Sequence, residues 1–136
     1  MIYSDGGARG NPGPAATAFL ALTETGEVVK ADSCFIGTHT NNQAEYNALN
    51  AALQFAIAAE TEEVVCHLDS ELVVKQLNGE YNVKNLELQK LWRKARELAS
   101  CFKKVSFVNV PRSNPHISRA DALVNKTLDE QVSIRR

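Results

Sequence analysis

Three strand-like segments follow one another within the first 37 residues of the chain, with only short links between them. The segments are Ile2–Asp5, which precedes an Asp-Gly-Gly turn signal, the apolar run Ala15–Leu22, and Glu27–Gly37. Links this short join antiparallel neighbours, because a parallel pair needs a long crossover. The start of the chain therefore predicts an antiparallel meander, with the glycine- and proline-rich residues 6–14 as a loop.

Strands and helices alternate in the rest of the chain. Two compact apolar runs predict strands at Val64–Leu68 and Val105–Val110. Apolar residues at helical spacing predict helices over residues 40–59, 71–77, 86–100 and 119–130, followed by a tail that frays from Ser133. The order βββαβααβα predicts an α/β fold, in which parallel strands extend the meander into a mixed five-stranded sheet with helices on both faces.

Length and composition limit the classes of protein to consider. With 136 residues and neither an apolar run of membrane-spanning length nor a signal peptide pattern, we expect one domain over residues 1–136 that is cytoplasmic, monomeric and free of membrane contact. The net charge of −1 means that polyanion binding must come from local arrangement or from metal ions. The three cysteines lack the spacing of a zinc site, and we expect buried, reduced thiols.

Four acidic residues occur beside segments that these patterns predict to be buried: Asp5 after the first strand, Glu45 on the apolar face of the first long helix, Asp69 after the fourth strand and Asp121 on the apolar face of the last helix. Each also has a purely structural interpretation. Asp5 fits an Asp-Gly turn, and Asp69 fits a helix N-cap. The second and fourth fit capping boxes in which Asn42 and Ser118 are the N-caps.

Taken together, the four acids indicate a metal site. Ionised carboxylates do not gather in a core without compensation, because burial and mutual repulsion raise their pKa values. A divalent cation supplies that compensation, and ligand sets made only of oxygen select hard ions such as Mg²⁺ or Mn²⁺. We therefore predict that the four carboxylates converge on such an ion.

Short sequence blocks along almost the whole chain resemble the type 1 ribonuclease H family. The blocks are Tyr3–Gly7, Gly10–Gly13, Thr40–Glu45, Leu68–Ser70 and Ala120–Asn125. The order of strands and helices in that family agrees with the order predicted above. The resemblance implies a ribonuclease H-like fold and hydrolysis of the RNA strand of RNA–DNA hybrids by two Mg²⁺ or Mn²⁺ ions, leaving 5′-phosphate and 3′-hydroxyl ends.

The resemblance also implies roles for individual residues. Asp5 would bridge both ions, Glu45 and Asp69 would bind one of them, and Asp121 would bind the other. His116 is the local candidate for the mobile histidine that assists proton transfer or product release, although its spacing from the last acid differs from the bacterial pattern. Contacts with the hybrid are expected from Gly6, Asn11, Thr40, Asn41, Asn42, Gln43 and Ser70. Helix capping is the alternative role for residues 40–42.

The chain resembles the compact form of the family. The segment from Leu77 to Leu86 leaves no room for the basic helix that some bacterial members insert there. Basic residues nearby form either a basic face that is weaker than the missing helix would provide or a plain solvated helix surface. They are Lys84, Lys90, Arg93, Lys94 and Arg96. Two other functions fit the same residues: a nuclease of this fold that also cuts double-stranded RNA, and a hybrid-binding module without catalysis. Four mutually repelling carboxylates argue against the module.

Overall fold

The computed structural model describes residues 1–135, which form five strands and four helices. The strands are β1 (Ile2–Ala8), β2 (Gly13–Leu22), β3 (Val28–His39), β4 (Glu63–Leu68) and β5 (Lys104–Asn109). The helices are α1 (Asn41–Ala58), α2 (Glu71–Leu77), α3 (Leu86–Ala99) and α4 (Pro115–Arg135). All predicted elements are therefore present, and the order of elements is confirmed.

The five strands form one mixed sheet in the order β3-β2-β1-β4-β5. The first three pair antiparallel as a meander, whereas β4 pairs parallel with β1 and β5 pairs parallel with β4. Strand β1 is the third of the five in this order and is therefore the central strand of the sheet. The predicted mixed sheet is confirmed.

Strand β1 continues where the sequence predicted a turn. It runs through Gly6 and Gly7 to Ala8, whose register partner on β2 is Ala15. Glycine weakens a strand only locally, and here pairing with β2 outweighs that tendency. Asp5 therefore lies inside a strand, and its interpretation as a turn residue is wrong. The turn comes later, at Gly10, which has a positive φ of 89°.

Helices cover both faces of the sheet, as predicted. On one face, α1 packs its apolar side against the strands in a core that includes Ile2, Phe19 and Leu53. Helix α3 packs beside α1 and extends that core. On the opposite face, α4 places Val124 and Leu128 against the alanines of β2.

Helix α4 starts one turn earlier and ends later than the predicted helix at 119–130. Pro115 is its first residue, where the missing N–H of proline is tolerated. Asn114 Oδ1 accepts hydrogen bonds from the backbone N–H groups of His116 (2.9 Å) and Ile117 (3.3 Å). Asn114 is thus the cap, and the capping box of Ser118 with Asp121 is wrong. The helix continues through residues 133–135, and Arg136 of the predicted frayed tail lies outside the described residues.

The prediction that all three cysteines are buried is wrong for two of them. All three are free thiols, but only Cys66 is buried, and burial raises its pKa to about 12. Cys34 lies on the outermost strand β3 and Cys101 just after α3, and both are exposed. Among the helices of residues 1–135, none is long and apolar enough to cross a membrane.

Candidate metal and nucleic-acid site

The register of the central strands brings the carboxylates of Asp5 and Asp69 together. Tyr3 of β1 pairs with His67 of β4. If this parallel register is continued by two residues, Asp5 lies beside Asp69, which directly follows the end of β4. Asp5 is only 3% exposed because β1 is covered on both sides and both faces. The side chain of Asp69 is 13% exposed.

Glu45 reaches the same place from α1, because that helix lies unusually close to β1. A side chain at Gly6 would overlap the carbonyl of Ala44, so only glycine permits this approach. The Gly6 N–H donates a 3.1 Å hydrogen bond to Glu45 Oε1. The carboxylate is 6% exposed and is held against the strand that carries Asp5.

Glu45 does not belong to a capping box with Asn42, so that interpretation is wrong. The N-cap of α1 is Thr40, whose Oγ1 accepts from the Gln43 N–H at 3.2 Å. Gln43 Oε1 accepts in return from the Thr40 N–H at 2.9 Å. Because Thr40 and Gln43 complete the capping box, the carboxylate of Glu45 has no role in starting the helix.

Three of the four predicted acids converge. One carboxylate oxygen from each of Asp5, Glu45 and Asp69 lies within 4.8 Å of the others. Asp121, on α4, lies next to this group, since its charge raises the pKa of Asp5. Its side chain is 36% exposed, and Asn125 Nδ2 donates to its backbone carbonyl at 3.1 Å.

Burial dominates the electrostatics of these acids. It raises the pKa of Asp5 to about 7, and the charges of Asp69 and Asp121 act in the same direction. Burial also raises the pKa of Glu45 well above its usual range, and the nearby charges of Asp5 and Asp69 add to this. Glu45 Oε2 is buried and accepts no hydrogen bond from residues 1–135. Clustered carboxylates with an unused buried acceptor fit a hard divalent cation as their common partner.

Two of the predicted hybrid contacts, Asn11 and Asn41, join the loop after β1 to the start of α1. Asn11 Oδ1 accepts from the Asn41 backbone N–H at 3.0 Å, and Asn41 Oδ1 accepts from the Ala8 N–H at 2.9 Å. Both residues are exposed. Their amide oxygens are therefore engaged within the protein, whereas the hydrogen bonds of the described residues include none donated by their Nδ2 groups.

The other predicted contacts also have structural roles in the fold. Thr40 and Gln43 cap α1, and Ser70 is the N-cap of α2, where its Oγ accepts from the Val73 N–H at 3.3 Å. Gly6 supports the approach of α1 described above. Asn42 is half-buried in the first turn of that helix. Their contacts with a hybrid stay predictions.

His116 packs on an aromatic stack beside the acids. Its ring centroid lies 4.6 Å from that of Tyr3, and the ring of His67 also stacks on Tyr3, at 4.2 Å. His67 is structural: its Nδ1 lies 2.9 Å from the Ile2 carbonyl oxygen, and burial lowers its pKa. Tyr3 precedes Asp5 by two residues on β1, so His116 is close to the site along the strand. Its catalytic role stays a prediction.

Sequence reasoning missed Arg112. Its guanidinium forms ion pairs with Asp69 Oδ2 at 3.8 Å and with Asp121 Oδ1 at 3.7 Å. A usable signal was present, because Arg112 comes shortly after β5, the parallel neighbour of β4. Residues that follow neighbouring parallel strands meet at the same edge of the sheet.

The basic face predicted on α3 is only partly available to a ligand. Arg96 donates a 3.0 Å hydrogen bond to the Leu77 carbonyl, and its guanidinium lies 5.9 Å from the Trp92 ring centroid. Lys90 pairs with Glu87 at 3.4 Å. No helix lies between α2 and α3, which confirms the compact form for the described part of the chain.

Comparisons with known proteins agree with this architecture. A family described as reverse transcriptase-like matches residues 3–127. The chain is 42% identical over 128 residues to a ribonuclease HI of Halobacterium salinarum, a match that covers 94% of this chain and 63% of that protein. The chain also spans only 35% of the length of a bifunctional protein from Mycobacterium tuberculosis, to which it is 41% identical over 130 residues.

Solved structures match over nearly their full length. The N-terminal ribonuclease H domain of the Mycobacterium tuberculosis protein superimposes with a TM-score of 0.93 at 38% identity, covering 99% of this chain and 96% of that chain. LC11 ribonuclease H1, solved in complex with an RNA/DNA hybrid, gives a TM-score of 0.89 at 38% identity, covering 96% of this chain and 97% of that chain.

Proposed function

Since the chain belongs to the ribonuclease H family, we propose that it is an endonuclease that hydrolyses the RNA strand of RNA–DNA hybrids. The observation that carries the proposal is the convergence of Asp5, Glu45 and Asp69, with Asp121 alongside. Such a group lowers the stability of the free protein, because its carboxylates are buried and repel one another. A cation bound there would supply the compensating charge.

Asp5, Glu45, Asp69 and Asp121 would hold two Mg²⁺ or Mn²⁺ ions. When bound, such ions activate the attacking water and stabilise the leaving 3′ oxygen, which gives 5′-phosphate and 3′-hydroxyl ends. The protein contributes a rigid ligand set. Glu45 is fixed by the Gly6 N–H, and Asp5 is fixed by the central strand. This rigidity supports the proposal, because the ligands need little reorganisation on binding.

The surface beside the acids is suited to the phosphates and 2′-hydroxyls of a hybrid. The amide oxygens of Asn11 and Asn41 are used inside the protein, so each side chain presents its two N–H donors. Such donors recognise phosphate oxygens and 2′-hydroxyls without reading the base sequence. The hybrid bound in the LC11 ribonuclease H1 structure supports the same ligand class for this chain.

A cleavage assay tests the proposal. Labelled RNA–DNA hybrid, duplex RNA and duplex DNA are incubated with Mg²⁺, with Mn²⁺ or with a chelator. We expect ion-dependent cleavage of the RNA strand in the hybrid, and a loss of at least about 10³-fold in Asp5→Asn, because the shared ligand is removed.

The matched control is Asp32→Asn, which makes the same chemical change at an exposed position on β3 and should leave the rate unchanged. Cleavage of duplex RNA at a similar rate would identify the broader nuclease. Binding of hybrid without cleavage under any ion would identify the binding module, and full activity in Asp5→Asn would contradict the metal site.

A further inference from the structure

A positive charge of the protein lies between two of the acidic residues. The Arg112 guanidinium is within 4 Å of one oxygen of Asp69 and one oxygen of Asp121, two carboxylates of the candidate site. No other ion pair among the described residues involves either acid. Arg112 is also 77% exposed, so little packing prevents the guanidinium from moving away.

The backbone of Arg112 is fixed although its side chain is not. Pairing of β5 with β4 extends past the strand end, since the Val110 N–H donates to the Leu68 carbonyl at 2.9 Å. Ser118 Oγ, from α4, donates to the Arg112 carbonyl at 3.1 Å. The loop that carries Arg112 is thus tied both to the strand before Asp69 and to the helix of Asp121. The fold therefore places the backbone of Arg112 where its side chain can reach both acids.

A guanidinium supplies only part of what these acids need. It carries one positive charge that it cannot lose, and at 3.7–3.8 Å its contacts with the two carboxylates are longer than good hydrogen bonds. A divalent ion brings twice the charge at shorter range. The guanidinium and an ion that binds these oxygens repel each other, and both would draw on the same carboxylates.

We propose that Arg112 is the resident counter-cation of the acid site, and that divalent ions must displace its guanidinium from Asp69 and Asp121. Arg112 offsets part of the negative charge of the two acids in the ion-free protein and lowers the affinity of the site for metal. The inference rests on the proposed function, since it requires that the four acids bind divalent ions.

Direct binding of Mn²⁺ tests this proposal without relying on activity. Free Mn²⁺ is measured by electron paramagnetic resonance during titration of the protein at pH 8. We compare the dissociation constant of the weakest Mn²⁺ site that is occupied during the titration. We expect it to be about 10-fold lower in Arg112→Gln than in the unchanged protein, because one nearby positive charge is gone. Arg112→Lys keeps the charge and should stay within about threefold.

The matched control is Lys104→Gln, which removes one positive charge at the opposite end of β5 and should leave the affinity unchanged. Equal affinities in Arg112→Gln and the unchanged protein would overturn the role of Arg112. The proposed function would still stand in that case if Asp5→Asn weakened Mn²⁺ binding. Failure of the unchanged protein to bind Mn²⁺ would overturn both. Circular dichroism of each variant establishes that it is folded.

Discussion

Helix α1 carries two buried polar side chains that are adjacent in sequence and satisfied in opposite ways. Glu45 faces Asp5 and Asp69, has one oxygen without a hydrogen-bond donor among residues 1–135, and has a raised pKa. Tyr46 is fully buried, and its hydroxyl donates a 2.7 Å hydrogen bond to Gln76 Oε1. The same helix therefore contributes to a cluster of acids in which one carboxylate oxygen has no donor, and to a hydrogen-bonded group in which Tyr46 is fully paired.

The complete group joins three helices. Gln76 of α2 accepts from Tyr46 through its side chain and from Trp92 Nε1 of α3 through its backbone carbonyl at 3.2 Å. Burial raises the pKa of Tyr46, which keeps its hydroxyl protonated as a donor. A buried polar network of this kind adds stability and specifies how the helices pack.

The two groups differ in their effect on stability, and this difference separates a structural group from a functional one. Polar atoms buried with partners stabilise the fold, whereas carboxylates buried against one another destabilise it. The second arrangement is typical of a functional site, where a bound ligand or a proton supplies the missing charge. Stability measurements can therefore test which of the two groups is the functional one.

The largest expected effect is on the stability of the ion-free protein at different pH values. The folded protein holds the proton of Asp5 up to a pKa of about 7, whereas an unfolded aspartate loses its proton near pH 4. Stability should therefore fall as pH rises from about 4 to 7, by up to about 4 kcal/mol for this group. Urea unfolding with a chelator at pH 5 and pH 8 measures this loss.

Asp5→Asn sharpens that measurement. The variant should be more stable than the unchanged protein at pH 8 without ions, and the loss between pH 5 and pH 8 should be smaller, because the part due to Asp5 is absent and only that of Glu45 remains. Asp32→Asn, at its exposed position, should follow the unchanged protein. If the unchanged protein were equally stable at both pH values, the buried acids would not destabilise the ion-free protein, which would contradict this prediction.

Tyr46→Phe should have the opposite profile. It removes the donor to Gln76 and leaves a buried Oε1 unpaired, so unfolding should become easier by about 1–3 kcal/mol at any pH. Hybrid cleavage by the folded variant should stay within about twofold, because Tyr46 does not contact the acids. Tyr81→Phe makes the same change at a 49% exposed position, and its unfolding free energy should change by less than about 0.5 kcal/mol. A large loss of cleavage in Tyr46→Phe would mean that the two groups are coupled.

The functional group was largely predictable from sequence because its signal is local. An acid beside an apolar run is visible at Asp69, and an acid on an apolar helix face is visible at Glu45. Their meeting follows from the sheet order; the alternation of strands and helices predicted the mixed sheet but not that order. The partners in the complete group were not predictable, because Tyr46 and Gln76 are 30 residues apart and meet only through packing.

The errors have two physical origins. Gly6 and Gly7 resemble a turn, yet pairing with β2 keeps them in the strand. Asn114 and Pro115 were assigned to a loop, although this pair caps and begins α4. Arg112 was not considered because its contacts depend on where β5 ends relative to two other elements. At Gly6 and Arg112 tertiary pairing overrides or supplies what the local pattern lacks, whereas the cap at Asn114 is a local signal that was overlooked.

The smallest expected effect concerns His116, which has features of both the structural and the functional group. Its ring packs on Tyr3, a structural contact, yet the family resemblance assigns it a role in proton transfer. We expect His116→Ala and His116→Phe to lower the rate constant of hybrid cleavage at pH 7 to a similar extent, by about 10-fold. That loss is below the 10²–10⁴-fold of an indispensable acid or base, because the role is an assisting one.

The pair of variants separates packing from chemistry. Phenylalanine preserves an aromatic contact with Tyr3, worth about 0.5–1.5 kcal/mol, but it cannot carry a proton. Unfolding free energies should therefore fall in His116→Ala and stay near the unchanged value in His116→Phe, while cleavage falls in both. Full cleavage by His116→Phe would place His116 with the structural residues, and the functional group would then consist of the acids and Arg112.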